Sequence, residues 1–166
     1  MRPLARRKLL RKRGVVAGDG VLLGRDVELE VAPGARLELG DGCRIGERTR
    51  IVVNGGCVTV GAGAVIGPRC TIVAHAGVTI GAAARLDEGA VIVDFDHAFD
   101  DVELPIRQQP LKATGVTIGE RAHVGLGASV LRGIAVGAGA DVGPHAVVTR
   151  DVPAGVNVGG VPAAPL

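Results

Sequence analysis

The chain has no tryptophan and no tyrosine, and only two phenylalanines, Phe95 and Phe99, among its 166 residues. It therefore lacks the large rings that usually fill a globular core. It also lacks the interleaved aromatics of a nucleic-acid surface, so no nucleic-acid partner is expected. Cysteine is sparse: Cys43, Cys57 and Cys70 are widely spaced and match no paired ligand pattern. Cys43 and Cys70 read as small packed hydrophobes. No apolar stretch approaches the roughly 20 residues of a spanning helix. The N-terminus has no long apolar run of the signal-peptide kind. A cytoplasmic protein is predicted.

What is abundant is glycine, 27 residues, together with branched aliphatics at a fixed interval. Ile118, Val124, Val130, Val136, Val142 and Val148 fall every six residues, each followed four places later by a small or apolar residue: Ala122, Ala128, Ile134, Ala140, Ala146 and Val152. Six is neither the helical period nor a strand alternation. It is the period of a parallel β-helix, whose narrow interior stacks small and branched side chains and whose corners use glycine. Leu39, Ile45 and Ile51 form an earlier run, and Val60, Ile66, Ile72 and Val78 another. After a slip of two, Ile80, Leu86 and Ile92 form a third. Three hexads make one triangular coil of about 18 residues, and the stretch from Leu39 to Pro153 gives five coils, or six with the blurred start at Val15–Leu37.

The expected fold is all-β, a single-stranded parallel β-helix with one extruded loop. Residues 98–115, AFDDVELPIRQQPLKATG, carry no hexad but two prolines and several charges. A break of this length between regular elements is usually functional. The GAGA segments at 61–64 and 137–140 precede neither GK[ST] nor a helix, and read as corners rather than phosphate loops. The net charge of +2 is unevenly placed, with Arg2, Arg6, Arg7, Lys8, Arg11, Lys12 and Arg13 in the first thirteen residues, against 12 basic and 17 acidic residues in the rest. The chain divides into a basic head (1–13), a β-helix domain (14–155) and a tail (156–166). The head is either a solvated terminus or a contact for anionic lipid or phosphate.

Three segments carry a resemblance: VDFDHAFDD (93–101), PIRQQPLKATGVTIG (105–119) and VGPHAVVTRDVPAGVNVGGVPA (142–163). Together they resemble the hexapeptide-repeat acyltransferases, in particular the sugar O-acetyltransferase branch with its maltose, galactoside and exopolysaccharide acetyltransferases. The resemblance implies a left-handed helix, a homotrimer with sites in the clefts between prisms, acetyl-CoA as donor, a sugar hydroxyl as acceptor, and no metal. Matched residue by residue, His97 is the general base, and Asn54 corresponds to an acceptor-side asparagine. Gly125 and Leu126 supply a backbone N–H to the acyl oxygen. Pro144, Thr149 and Arg150 fall in the closing signature along the coenzyme. The chain departs from the pattern at His123, where the family has tryptophan, and at Pro144, where it has alanine. It also has Ala164, Pro165 and Leu166 where lysine or arginine is common.

The chemistry suits these residues. Acetyl transfer from a thioester to a hydroxyl needs a base for the hydroxyl proton and donors for the oxyanion. An imidazole titrates near neutrality and serves as the base. Asp94 and Asp96 flank His97 and would orient it or bind acceptor hydroxyls. His75, His97, His123 and His145 include no pair a few residues apart on one turn, so a zinc site is not expected. Two other readings remain: an acetyltransferase of a small alcohol such as an antibiotic or serine, or a non-enzymatic trimeric scaffold.

Overall fold

The computed structural model describes residues 10–166; residues 1–9, most of the basic head, lie outside the described residues. The chain winds as a parallel β-helix with three faces. The first face stacks Val15–Ala17, Arg36–Leu39, Cys57–Val60, Gly77–Ile80, Val116–Ile118 and Ala135–Val136. The second stacks Leu22–Leu23, Arg44–Ile45, Val65–Ile66, Arg85–Leu86, His123–Val124, Asp141–Val142 and Asn157–Gly159. Ala164–Pro165 closes this face antiparallel to Asn157–Gly159. The third face stacks Glu28–Val31, Arg50–Val53, Thr71–Ala74, Val91–Val93, Ser129–Val130 and Val147–Val148. The stretch that looked blurred in sequence, from Val15, forms a complete first coil, giving about six in all.

The core is a set of in-register columns. Leu29, Ile51, Ile72, Ile92, Val130 and Val148 lie one above another on the third face, each at most 1% exposed. Each contributes roughly 1.5–3 kcal/mol of burial before chain entropy is set against it. Because every coil offers the same narrow slot, branched aliphatics and alanine fill it without rings. Thr49 sits in such a column at 0% exposure. Its hydroxyl donates to the Gly67 carbonyl at 2.7 Å and accepts the Cys70 N–H at 3.2 Å.

The coils are not uniform. Ala17 pairs with Leu39, Leu39 with Val60, Val60 with Ile80, Ile80 with Ile118, Ile118 with Val136 and Val136 with Val152, so successive coils advance by 22, 21, 20, 38, 18 and 16 residues. The 18-residue coil expected throughout occurs once. Strides from first to second face and from second to third stay at six, as in Leu39 to Ile45 to Ile51. All variation enters where the third face turns into the first, here termed the loop edge. The slip between Val78 and Ile80 has a simple cause: both residues of that strand point inward, at 1% exposure each.

The edge between second and third faces, here the far edge, turns through one left-handed residue per coil: Asp26, Arg48, Arg69, Gly89, Gly127 and His145, with φ between 53° and 71°. Successive coils are tied there by amides, Arg69 N–H to Glu47 O at 2.9 Å and His145 N–H to Leu126 O at 2.7 Å. A Cβ at Gly127 would lie 2.6 Å from Nδ1 of His145, so the exposed His145 ring would have to swing aside to admit one.

Candidate active site

The loop edge gathers most of the chemistry. After Val93 the chain leaves the prism, and it rejoins at Val116. The excursion thus begins at Asp94, four residues earlier than the sequence break suggests. Phe95–His97 pairs antiparallel with Leu111–Ala113, setting His97 opposite Leu111 and Asp96 opposite Lys112. The hairpin is closed at its base by Thr114 N–H to Asp94 O at 2.8 Å, and farther out by Ala98 N–H to Pro110 O at 2.9 Å. Its tip contains a short 3-10 turn at Ile106–Gln108. Gln109, 7% exposed, organises that tip by donating from Nε2 to the Asp101 and Leu104 carbonyls at 2.8 and 3.0 Å. Lys112 pairs with Asp100. Phe99, Val102 and Ile106 stand 70%, 92% and 58% exposed on this excursion.

Asp94, expected beside the acceptor, is placed otherwise. Its side chain is 0% exposed in the column next to Ala74. Oδ1 accepts the His75 N–H at 2.8 Å, and Oδ2 accepts those of Ala76 and Gly77 at 2.8 and 2.6 Å. Both oxygens are committed to the corner one coil below, so the carboxylate is a corner clamp and does not face an acceptor. Asp96 is exposed, on the hairpin face opposite to Phe95 and His97, since strand side chains alternate.

The clamped corner carries His75, which the sequence reading weighed only as a metal ligand. Its Nε2 lies 3.1 Å from Nδ2 of Asn54, on the preceding coil. Its ring meets Phe95 at a centroid distance of 4.5 Å and an angle of 57°. His97 is exposed and lies on the same hairpin face as Phe95. Asn54, His75, Phe95 and His97 thus occupy one edge. The signal in the sequence was positional: Asn54 and His75 each follow the last inward residue of a third-face strand.

The expected coenzyme residues separate. Thr149 and Arg150 are exposed on the loop edge, just after Val147–Val148. Gly125, Leu126 and Pro144 lie on the far edge, about 20 Å away across one six-residue face. There Gly125 N–H donates to Val142 O at 2.8 Å, Gly127 N–H to Glu88 O at 2.9 Å and Ala128 N–H to Gly125 O at 3.1 Å. These bonds leave Leu126 N–H as the amide of this corner that can serve a ligand. Leu126 borders an open cleft of about 380 Å³, together with Val65, Pro68, Arg85, Asp87 and Glu88.

His123 belongs to neither edge. It stands on the second face with Nε2 2.9 Å from Asp87 and Nδ1 2.9 Å from Asp141, and Arg85 Nε donates to Asp87 at 2.8 Å. Burial works against its charged form, but the bonds and charges of the two carboxylates outweigh it, and its pKa is raised. In place of the indole that the sequence resemblance implies, this chain has an ionic bridge across three coils.

Fold and site together define a class: a hexapeptide-repeat parallel β-helix with a histidine-bearing hairpin thrown out at one edge. No protein-family profile matches the chain. It is 35% identical over 120 residues to the Mycobacterium tuberculosis protein named "Probable acetyltransferase Rv3034c", an alignment covering 72% of this chain and 40% of the relative. The chain thus spans less than half the length of that relative. Among solved structures, it superposes on AntD, an N-acyltransferase from Bacillus cereus, with a TM-score of 0.77 at 15% identity, covering 96% of this chain and 87% of that one. That structure holds dTDP-4-amino-4,6-dideoxyglucose and coenzyme A. It superposes on a maltose O-acetyltransferase from Clostridium difficile with a TM-score of 0.68 at 18% identity, covering 99% and 75%. The acetyltransferase domain of PglB from Neisseria gonorrhoeae, solved with acetyl coenzyme A, gives 0.61 at 22% identity, covering 93% and 58%. In sequence the chain is similar to a probable acetyltransferase, and its repeat and fold are those of the hexapeptide-repeat β-helix proteins, among whose solved members are acyltransferases.

Proposed function

We propose that the protein is an acetyl-CoA-dependent O-acetyltransferase acting on a carbohydrate hydroxyl, with His97 as general base. The observation that carries this reading is the hairpin Phe95–His97/Leu111–Ala113, which holds the exposed His97 imidazole off the prism, on the same strand face as Phe95. The homologous acetyltransferase, and fold neighbours holding coenzyme A or acetyl-CoA, support the donor. The maltose enzyme supports the acceptor class.

In this reading His97 takes the acceptor's hydroxyl proton as its oxygen attacks the thioester carbon. The oxyanion that forms is met by Leu126 N–H. The intermediate collapses by expelling the coenzyme thiolate, which recovers the proton from the imidazolium. Pro144 and Thr149 line the coenzyme, and Arg150 pairs with one of its phosphates. Asn54 serves the acceptor, whereas Asp96, on the opposite face of the hairpin, is turned away from it. No metal takes part.

His97 and Leu126 lie on different edges, so one copy does not bring them together. A homotrimer does, because the loop edge of one prism can face the far edge of the next. The same contact would cover Phe99, Val102 and Ile106, which a single chain leaves in water. The site works in the cytoplasm, where acetyl-CoA is made, on a precursor of a cell-surface glycan. The basic head, residues 1–13, brings the enzyme to an anionic membrane bearing that precursor.

The test is thiol release from acetyl-CoA with sugar, amino-sugar and small-alcohol acceptors, for the native protein and His97→Ala. The variant should lose about 10²–10⁴ in kcat. Turnover undiminished by that change would remove His97 from the mechanism, and failure of the native protein to bind the coenzyme would favour a scaffold.

A further inference from the structure

In a chain with no Trp or Tyr and two Phe, a ring–ring contact is informative by its rarity. Among the described residues that contact is between His75 and Phe95, with centroids 4.5 Å apart. It is not a core contact. Both residues are only half-buried, and they sit where the hairpin leaves the prism. The pair is rigidly mounted. The backbone N–H groups of residues 75–77 are held by the buried Asp94 carboxylate, and the hairpin base by Thr114 N–H on Asp94 O. The imidazole is also fixed in rotation. With the Asn54 amide donating across 3.1 Å, Nε2 accepts, and the ring proton sits on Nδ1. The corner therefore offers an apolar ring face beside a fixed N–H donor and an amide that is itself exposed.

We propose that Phe95, His75 and Asn54 form the acceptor subsite, and that it takes a pyranose. Such a ring has an apolar C–H face and a rim of hydroxyls. The face lies on Phe95, and His75 Nδ1–H and the Asn54 side chain hydrogen-bond the rim. A few convergent polar groups around an aromatic surface are the usual make-up of a small-molecule site, and a mount fixed by buried bonds gives it precision. His97, two residues beyond Phe95 on the same hairpin face, is then next to the hydroxyl that reacts. An open-chain alcohol has no face to lay on Phe95, so the subsite also selects against it. The assignment rests on the transferase reading above.

The experiment compares native protein, Phe95→Leu and His75→Gln in acetyl-CoA assays with methyl pyranosides and with serine as an open-chain alcohol. Each variant should raise the pyranoside KM about tenfold, leave the acetyl-CoA KM unchanged, and narrow the preference for pyranoside over serine. Phe95→Tyr, which keeps the ring, should retain the native KM even if Phe95→Leu folds poorly. An unchanged pyranoside KM in Phe95→Leu and His75→Gln would overturn the subsite. So would a loss confined to kcat with a shifted pH profile, since that is the behaviour of a base. Titration of native protein with methyl pyranosides, read on the histidine ring NMR signals, is independent of turnover. A shift at His75 is expected, and none at saturating sugar overturns the proposal. If acetyl-CoA fails to bind in calorimetry while His75 still responds to sugar, the transferase reading fails and the subsite stands.

Discussion

Asp94 and His75 are joined across adjacent coils: the buried Asp94 carboxylate accepts the His75 N–H at 2.8 Å and takes the next two amides on its other oxygen. The acid clamps the corner that presents the imidazole. Removing it leaves three N–H groups of a part-buried corner without that partner, at about 3 kcal/mol in sum. Asp94→Ala should therefore lower Tm by roughly 6–12 °C. It should also broaden or displace the His75 ring signals in NMR. A variant as stable as the native protein, with unmoved His75 signals, would show that the clamp is dispensable.

Leu126 offers a cleaner substitution than the usual alanine. The equivalent places on two other coils of the far edge are Pro68 and Pro144, so the backbone there accepts proline. Leu126→Pro should fold with little change in Tm and lose the one N–H assigned to the oxyanion. The expected cost is about 10²–10³ in kcat. Unchanged kcat in a folded Leu126→Pro protein would take that amide out of the chemistry.

The His123 bridge should be visible in stability against pH. Its folded-state pKa is raised: burial opposes the charge, and Asp87 and Asp141 overcome that opposition. The contribution is thus complete below the ordinary value of 6.5 and fades as pH climbs through the folded-state value. Asp87 is depressed, with burial opposing and the bonds from Arg85 and His123 prevailing. Its contribution is present above the ordinary 3.8 and is lost as pH falls through its folded-state value. Between these limits the bridge is strongest. Native Tm should decline between about pH 6 and pH 9 more steeply than that of His123→Gln. Parallel curves would mean that the bridge adds nothing.

The thiols separate by depth. Burial pushes Cys43 and Cys70 up to about 11, and both lie at 0% exposure. At about pH 8, iodoacetamide should alkylate neither until the prism unfolds, because the thiolate is the reactive form. Mass spectrometry of peptides after timed quenching checks this. Rapid native-state labelling of Cys70 would show that the coil carrying it opens readily.

The hexads were legible because two of the three sides hold a constant stride, so Ile118 through Val148 announces the architecture without further context. Coil length was not legible, since the loop edge absorbs different numbers of residues in each turn. His75 and Asn54 meet because the coil between them is 21 residues long and not the expected 18. Asp94 looked like a surface carboxylate beside a candidate base, yet its register against Ala74 points it inward. The coenzyme residues read as one group along the chain, but a triangular cross-section sends Leu126 and Arg150 to different corners.

The uneven strides have a practical meaning. An insertion on either regular side would throw each later aliphatic out of its stack, whereas the seam between third and first faces has already taken up 22 residues between Val93 and Val116 without disturbing the turns above or below. The shaft and its outgrowth are therefore separable in design: a foreign hairpin grafted between Asp94 and Thr114 would meet an unchanged scaffold, with Asn54 and His75 still in place on the coils.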